Sequence, residues 1–490
     1  MWQISVFSGL LAICCLLLTA CTEEAVPEAS APSSAPDGSD LDADADSDVD
    51  ADSDTDSETD SHLDLASESA FETASGIGRL PDCLLAVEGK CLKSTGRSIA
   101  EVCDRWQQDM PIAILDDFWQ PGEDSCDPGK LASESIDDGL RRVNFYRWIA
   151  DLSPLIKNPD EDAWRDTANC AVVSAYNESP DPHHPLDTAT CYSQSALNGA
   201  STSSIDYTPY VPAVTIDRLI FDTGDTNAGT VGHRRSLLAW YYSVFAVGYA
   251  RVRAGTDEMD GGTCVQVTYE KFTPSTNLSE RISAYPPPGV MPHELTLQAL
   301  KGSTTAPLQW HMNIMDVSFE HATTRLYHQT ADGPEQLDAA TGILTEMARD
   351  GSGIWIQPAQ DLPPGEYVVD IDGTDAGAIG YRVVLTDCGT GVPESCDFLA
   401  QDCGEEWLGC YRSAEGDSFC MHRGYIDEGE PCRSARFCEP GLVCIDNASI
   451  TGNVCSPYCD DTASDRVNSC DSRCEGVVVL VDDAPVCQMK

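Results

Sequence analysis

From Ser133 to Ala150 apolar residues recur at three- and four-residue intervals: Ile136, Leu140, Val143, Tyr146, Ile149 and Ala150. That spacing puts them on one face of a helix. Ser133 supplies a start signal and Ser153-Pro154 a stop. A second helix is expected over Glu161–Tyr176, with Trp164, Ala168, Ala171, Val172 and Ala175 facing inward, and a shorter third over Pro212–Phe221. Two strands follow, Ser243 to Val252 and Cys264 to Phe272, separated by the glycines and acids of Gly255 to Gly262 as in a hairpin.

After Pro286-Pro287-Pro288, which reads as a short rigid linker, the pattern changes to strands. Short apolar runs at Leu295–Leu300, Leu308–Val317, Thr323–His328, Gly342–Met347, Gly353–Ile356, Tyr367–Ile371 and Gly380–Leu385 are punctuated by Gly, Pro and Asp. Runs of this length and spacing predict an immunoglobulin-like β-sandwich over 286–387.

The remaining 388–490 segment holds thirteen cysteines and little apolar content, so it requires disulfide staples to fold. No Cys-x-x-Cys occurs anywhere, which removes zinc ribbons and thioredoxin-type redox sites. A leader over 79–129 carries Cys83, Cys91, Cys103 and Cys126, which allow three pairings. Cys170, on the second helix, is within reach of Cys191 in the following loop; closing about 20 residues contributes roughly 3 kcal/mol in the chain-entropy model. Seven cysteines lie between Cys83 and Cys264, also an odd number. At least one bridge therefore crosses between the two sets, or two thiols stay free, and Cys264 with Cys388 is the pairing expected.

The amino terminus changes where the chain is expected to live. The apolar run Ile4 to Leu18 is too short to span a bilayer and ends at Leu18-Thr19-Ala20-Cys21. This ending resembles the lipobox of bacterial lipoproteins, although no Lys or Arg precedes the apolar run. The resemblance implies a signal peptide over 1–20, cleavage before Cys21, and acylation of Cys21 with chains such as palmitate. Residues 21–78 then form a tether. Of the 81 acidic residues 18 lie in 22–75, which has no Lys or Arg, so the segment is expected to be disordered and extended by its own repulsion. The 63 acids outside it still exceed the 29 lysines and arginines by 34. Nucleic acid is excluded as a partner on that balance.

Within 130–285 the motifs gather in an order that resembles the CAP superfamily, the SCP-like family of cysteine-rich secretory and pathogenesis-related proteins. The opening helix carries Asn144-Phe145-Tyr146-Arg147, like the family's Asn-x-x-Arg. His183-His184-Pro185 follows, then Asp217-Arg218-Leu219-Ile220-Phe221-Asp222 where the family has Asp-Arg-Trp-x-x-Glu. Gly232-His233 with Trp240, and the small-residue run Ala246-Val247-Gly248-Tyr249-Ala250, complete the set. The resemblance implies an α/β/α sandwich, so the fold class expected is multidomain: a CAP-like α/β/α sandwich, a β-sandwich and a disulfide-rich C-terminal module.

The family's cavity is lined by two histidines and two acids, and some members hold a divalent metal there. Carried over by motif, His183 (with His184 as the alternative), Asp222 and His233 are the candidate ligands of an ion such as zinc. The acid of the family's Gly-Glu-Asn has no counterpart; Ser203-Ser204-Ile205 stands nearest. With one acid lost and the other shortened to Asp222, no residue is assigned as catalytic, because metal-assisted hydrolysis needs a carboxylate base beside the ion. The function expected is a lipid-anchored protein of the cell envelope, at an outer membrane or cell surface, whose CAP-like domain binds a metal, lipid, cell-wall fragment or protein. The alternative is a metal-dependent hydrolase of peptide or cell-wall material.

Overall fold

The computed structural model describes residues 83, 89–113, 115, 117–177, 179, 181–222, 230–251, 261–270, 281–296, 307–344, 353–389, 395–412, 418–446 and 453–458, with the backbone of 477–481 and 484–488. The signal segment, Cys21 and the acidic tether lie outside these residues, as do the ends of two expected strands at 297–300 and 345–347. Six α-helices are seen among the described residues: α1 (Ile99–Asp109), α2 (Ser133–Ile149), α3 (Glu161–Tyr176), α4 (Gln194–Thr202), α5 (Pro212–Phe221) and α6 (Gly232–Leu237). The expected bounds of α3 and α5 match. The segment after Cys191, read as a loop, instead forms α4 and the strand Ser203–Asp206. Helix α1 was not anticipated, although its signal is present: Ser98 accepts from the Glu101 amide while the Glu101 carboxylate accepts from the Ser98 amide, a closed capping box.

A four-stranded sheet organises the helices. Its order is Ile156–Lys157, Val244–Arg251, Gly261–Thr268, Ser203–Asp206, the first pair parallel and the other two antiparallel. Side chains alternate across a strand, and here the two faces differ in size. Phe245, Val247 and Tyr249 join the large core shared with α2 and α5, while Ala250 and Cys264 join a smaller one with α3 and α4. The α3 backbone lies so close that a Cβ on Gly248 would sit 2.1 Å from the Thr167 carbonyl oxygen, and one on Gly262 would sit 2.6 Å from that of Ala171. The small-residue run in the sequence therefore exists because a helix backbone rests directly on it.

Two larger sheets follow. One has the order Gly89–Cys91, Gly377–Thr386, Gly365–Thr374, Thr323–Thr330, Gly333–Leu337, and Gly289–Pro292 also pairs with Gly377–Thr386; the other runs Ala339–Leu344, Gly353–Pro358, Trp310–Ile314, Ile282–Tyr285. They meet where the Trp310 ring lies 6.0 Å from that of Tyr367. The leader thus contributes a strand, Gly89–Cys91, parallel to Gly377–Thr386. Within the unit Ser75–Lys490 one continuous apolar cluster runs from Leu92 through α2, α5 and both sheets to Cys455. Pro286 and Pro287, read as a linker, are buried. The architecture is mixed, with helices, many sheets and disulfides concentrated toward the C-terminal end.

The disulfides correct two expected pairings. Cys170 bonds Cys264, not Cys191, and Cys191 bonds Cys126. The cause is the contact just described: α3 lies against the Gly261–Thr268 strand, which brings the Cα atoms of Cys170 and Cys264 to 6.1 Å. A bridge does cross between the two cysteine sets, but it joins Cys103 to Cys388 rather than Cys264 to Cys388. The C-terminal end contains a repeated pairing pattern. Cys396, Cys403, Cys410 and Cys420 pair first to third and second to fourth, and so do Cys432, Cys438, Cys444 and Cys455. In each unit the third and fourth cysteines stand opposite one another on a hairpin.

Candidate functional site

Helix α5 ends at Asp222, whose backbone is left-handed (φ 52°), a conformation that a short polar side chain tolerates. The turn aims its carboxylate at the start of α6. Oδ2 accepts from the backbone amides of His233 at 3.0 Å and Arg234 at 3.4 Å, and Oδ1 lies 3.0 Å from His233 Nδ1. Asp222 is 4% exposed, so water does not compete for these bonds. Both oxygens are thus engaged in capping α6 and orienting one imidazole. Immediately before α6, Val231 is buried with φ 42°, an unusual backbone for a β-branched residue and a local strain of roughly 1–3 kcal/mol.

His183 is held elsewhere, with Nδ1 2.8 Å from the Ala200 carbonyl oxygen at the end of α4. His184 is exposed and lies 3.0 Å from Asp181. The structure therefore brings Asp222 and His233 together and gives His183 a separate partner. Among the described residues, the sets of three or more potential ligand atoms lying within 4.8 Å of one another are Cys396, Cys403 and Cys420, and Cys432, Cys438 and Cys455. His183, Asp222 and His233 do not form such a set. Either cysteine cluster could hold a metal ion, but all six sulfurs are in disulfides. Only reduction would turn them into the thiolates that bind metal.

The other motif residues act on the fold. The Asn144 side chain accepts from the Leu155 amide at 2.7 Å and donates to its carbonyl at 2.9 Å. Arg147, fully buried, donates to the carbonyls of Ser153, Leu237, Ala239 and Tyr242, tying the end of α2 to the turn after α6. Burial without a carboxylate partner pushes its pKa down to about 10. Arg218 grips Asp206 at 2.7 Å.

Asp217 is the centre of a buried network that sequence reasoning did not single out. Arg142 bonds one carboxylate oxygen, the Tyr146 hydroxyl donates to the other at 2.7 Å, and His422 Nε2 lies 2.9 Å from Asp217 Oδ2. Burial alone would raise the Asp217 pKa, but Arg142 and His422 outweigh it and hold the carboxyl below its ordinary value. Burial, reinforced by Asp217, pushes the Tyr146 hydroxyl well up, so it stays a donor. His422 comes from the cysteine-rich end, far downstream of Asp217 in sequence; in space it closes the α2–α5 pair.

A cleft of about 240 Å³ opens beside the 182–189 loop, walled by Val173, Ser174 and Asn177 of the α3 end, Pro182, Pro185, Leu186 and Tyr207. Leu186 at its edge is 69% exposed.

No family model and no curated protein matches the chain. Among solved structures, the copper resistance protein PcoC of Escherichia coli aligns with 18% identity over 21% of this chain and 96% of that one, at a TM-score of 0.16. A score that low carries no argument about fold or function.

Proposed function

We propose that this chain is an exported lipoprotein that works by binding rather than by catalysis. It would be acylated on Cys21 and held at an outer membrane or cell surface by its acidic tether. Eight disulfides among the described residues suit an oxidising compartment outside the cytoplasm. The finer fold is a CAP-like α/β/α sandwich, supported by helices on both faces of the four-stranded sheet and by the small-residue strand beneath α3. The ligand is a lipid, a cell-wall fragment or a protein segment that presents apolar groups to the cleft at Leu186 and Tyr207.

One observation carries the choice of binding over hydrolysis: the Asp222 carboxylate, the one acid carried over to the cavity set, is occupied by two backbone amides and an imidazole. A group so engaged is poorly placed to take a proton from water. Two measurements on the purified full-length protein test the proposal. In detergent phase separation the wild type should enter the detergent phase and Cys21→Ala the aqueous phase. Peptidase and cell-wall hydrolysis assays with added zinc should show no turnover. Zinc-dependent hydrolysis abolished by His233→Ala would overturn the binding reading, and wild type in the aqueous phase would overturn the anchor.

A further inference from the structure

The strands Ile282–Tyr285 and Trp310–Ile314 pair with Tyr285 opposite His311 and Ser283 opposite Asn313. Alternation along each strand puts these four side chains on one face, with opposed Cβ atoms about 5 Å apart. The other face, Ala284, Met312 and Ile314, is apolar core. All four members of the polar face are orphaned. The Ser283 and Tyr285 hydroxyls, the Asn313 amide nitrogen and both ring nitrogens of His311 are buried without a hydrogen-bond partner among the described residues. Ser283 is 5% exposed, Tyr285 and His311 not at all. Leaving one such group unmade costs about 1–3 kcal/mol, and buried polar groups nearly always have a partner. Four adjacent ones on a single strand pair therefore call for an occupant.

That face looks onto α6. The Arg234 guanidinium lies 5.0 Å from the Tyr285 ring centroid and donates to the Gln309 carbonyl, just before the strand that carries His311. Its hydrogen bonds go to carbonyls, those of Ile220, Phe221 and Gln309, so its charge is not neutralised through them. Burial, and then the charges of Arg234 and Arg235, push His311 well below its ordinary pKa, which keeps the ring neutral. Arg235 is half-buried.

We infer that the face formed by Ser283, Tyr285, His311 and Asn313, backed by Arg234 and Arg235, is a binding site for a small oxyanion. The hydroxyls, the amide and one imidazole N–H donate to the anion, while the two guanidiniums supply the charge that draws it in. The shared chemistry is a compact group of anionic oxygens, as in inorganic phosphate or the carboxylate of a short peptide. This site does not depend on the CAP resemblance or on the cleft at Leu186, and either can fail without the other.

The test is thermal unfolding and calorimetric titration of the full-length protein at fixed ionic strength in chloride, with inorganic phosphate in one arm and acetate or a tripeptide in the other. One arm should give saturable binding near one equivalent and a rise in Tm that grows with the logarithm of ligand. The arm that responds identifies the source. Ser283→Ala/Asn313→Ala should weaken binding at least tenfold, and Arg235→Gln should weaken it, with cooperative unfolding retained in the thermal scan. Arg165→Gln, on an exposed arginine of α3 with no assigned role, should bind as the wild type does. If neither arm saturates above chloride, or if both variants bind unchanged, the orphaned atoms hold water only and the inference falls.

Discussion

Replacing Asp217 with alanine should be among the most damaging single changes in the chain. The carboxylate is fully buried and serves Arg142, Tyr146 and His422 at once. Its removal leaves the Arg142 guanidinium, whose side chain is 1% exposed, without a counter-charge. Breaking a buried pair from one side costs about 3–5 kcal/mol. Orphaning the Tyr146 hydroxyl and the His422 ring adds to this, though not fully, because all three partners share one centre. Against a total stability on the order of 5–15 kcal/mol, the expected loss is about a fifth or more of the whole. Urea unfolding with disulfides intact, followed by tryptophan fluorescence, measures it as a shift in midpoint. Asp217→Leu combined with Arg142→Met removes both charges and should recover part of the loss. Because His422 belongs to the cysteine-rich end, Asp217→Ala should also make the Cys403–Cys420 bridge react faster with a soluble thiol. A loss below about 1 kcal/mol, or a double variant no more stable than the single one, would refute the view that this network holds the α2–α5 pair and the cysteine-rich end together.

Two further outcomes follow from the packing and the buried imidazoles. Gly248→Ala puts a Cβ 2.1 Å from the Thr167 carbonyl oxygen, a backbone atom that cannot swing aside, so α3 must lift; a loss of at least the roughly 1–3 kcal/mol typical of overpacking is expected in the same unfolding assay, and a neutral variant would contradict the α3–strand contact. Acid should destabilise the protein below the ordinary histidine value of about 6.5. Burial lowers the pKa of His422 and, more strongly, of His311, so the unfolded chain binds protons that the folded chain does not. Stability then rises with pH through that window, by up to about 1.4 kcal/mol per pH unit for each group. Tm measured from pH 5 to 7.5 checks the slope, and a flat profile would mean that these rings are protonated or solvated in the folded state.

How much was legible in advance depended on whether the signal was local. Helices α2, α3 and α5 announced themselves because an apolar face repeats every three to four residues and their ends carry Ser, Asp or Pro signals. Strands were less readable: the expected strand Leu295–Leu300 begins in a 3-10 turn over His293–Thr296, and the strands Ile282–Tyr285, Gly289–Pro292 and Gly333–Leu337 were not anticipated. Helix α4 was not readable either, since Gln194–Thr202 is short and buries only Ala196, Gly199 and Ala200 against α3. The Gly89–Cys91 strand was also invisible: its partner, Gly377–Thr386, is almost 300 residues away and no local pattern encodes that pairing.

The motif set divides along the same line. By itself the sequence determined composition, charge, the cysteine-stapled character of the chain and the positions of α2, α3 and α5, because each of these is carried by neighbouring residues. It could name Asp222, His233 and His183 as chemically capable, but not say what they face. Only the tertiary structure decided that Asp222 is spent on capping α6, that His183 binds a carbonyl, and that Cys170 meets Cys264. It also placed His422 on Asp217 and gathered four unpartnered polar groups beside Arg234. Partners of that kind are chosen by how elements pack, and a hydrogen bond or disulfide reaches a few ångströms in space whatever the distance along the chain.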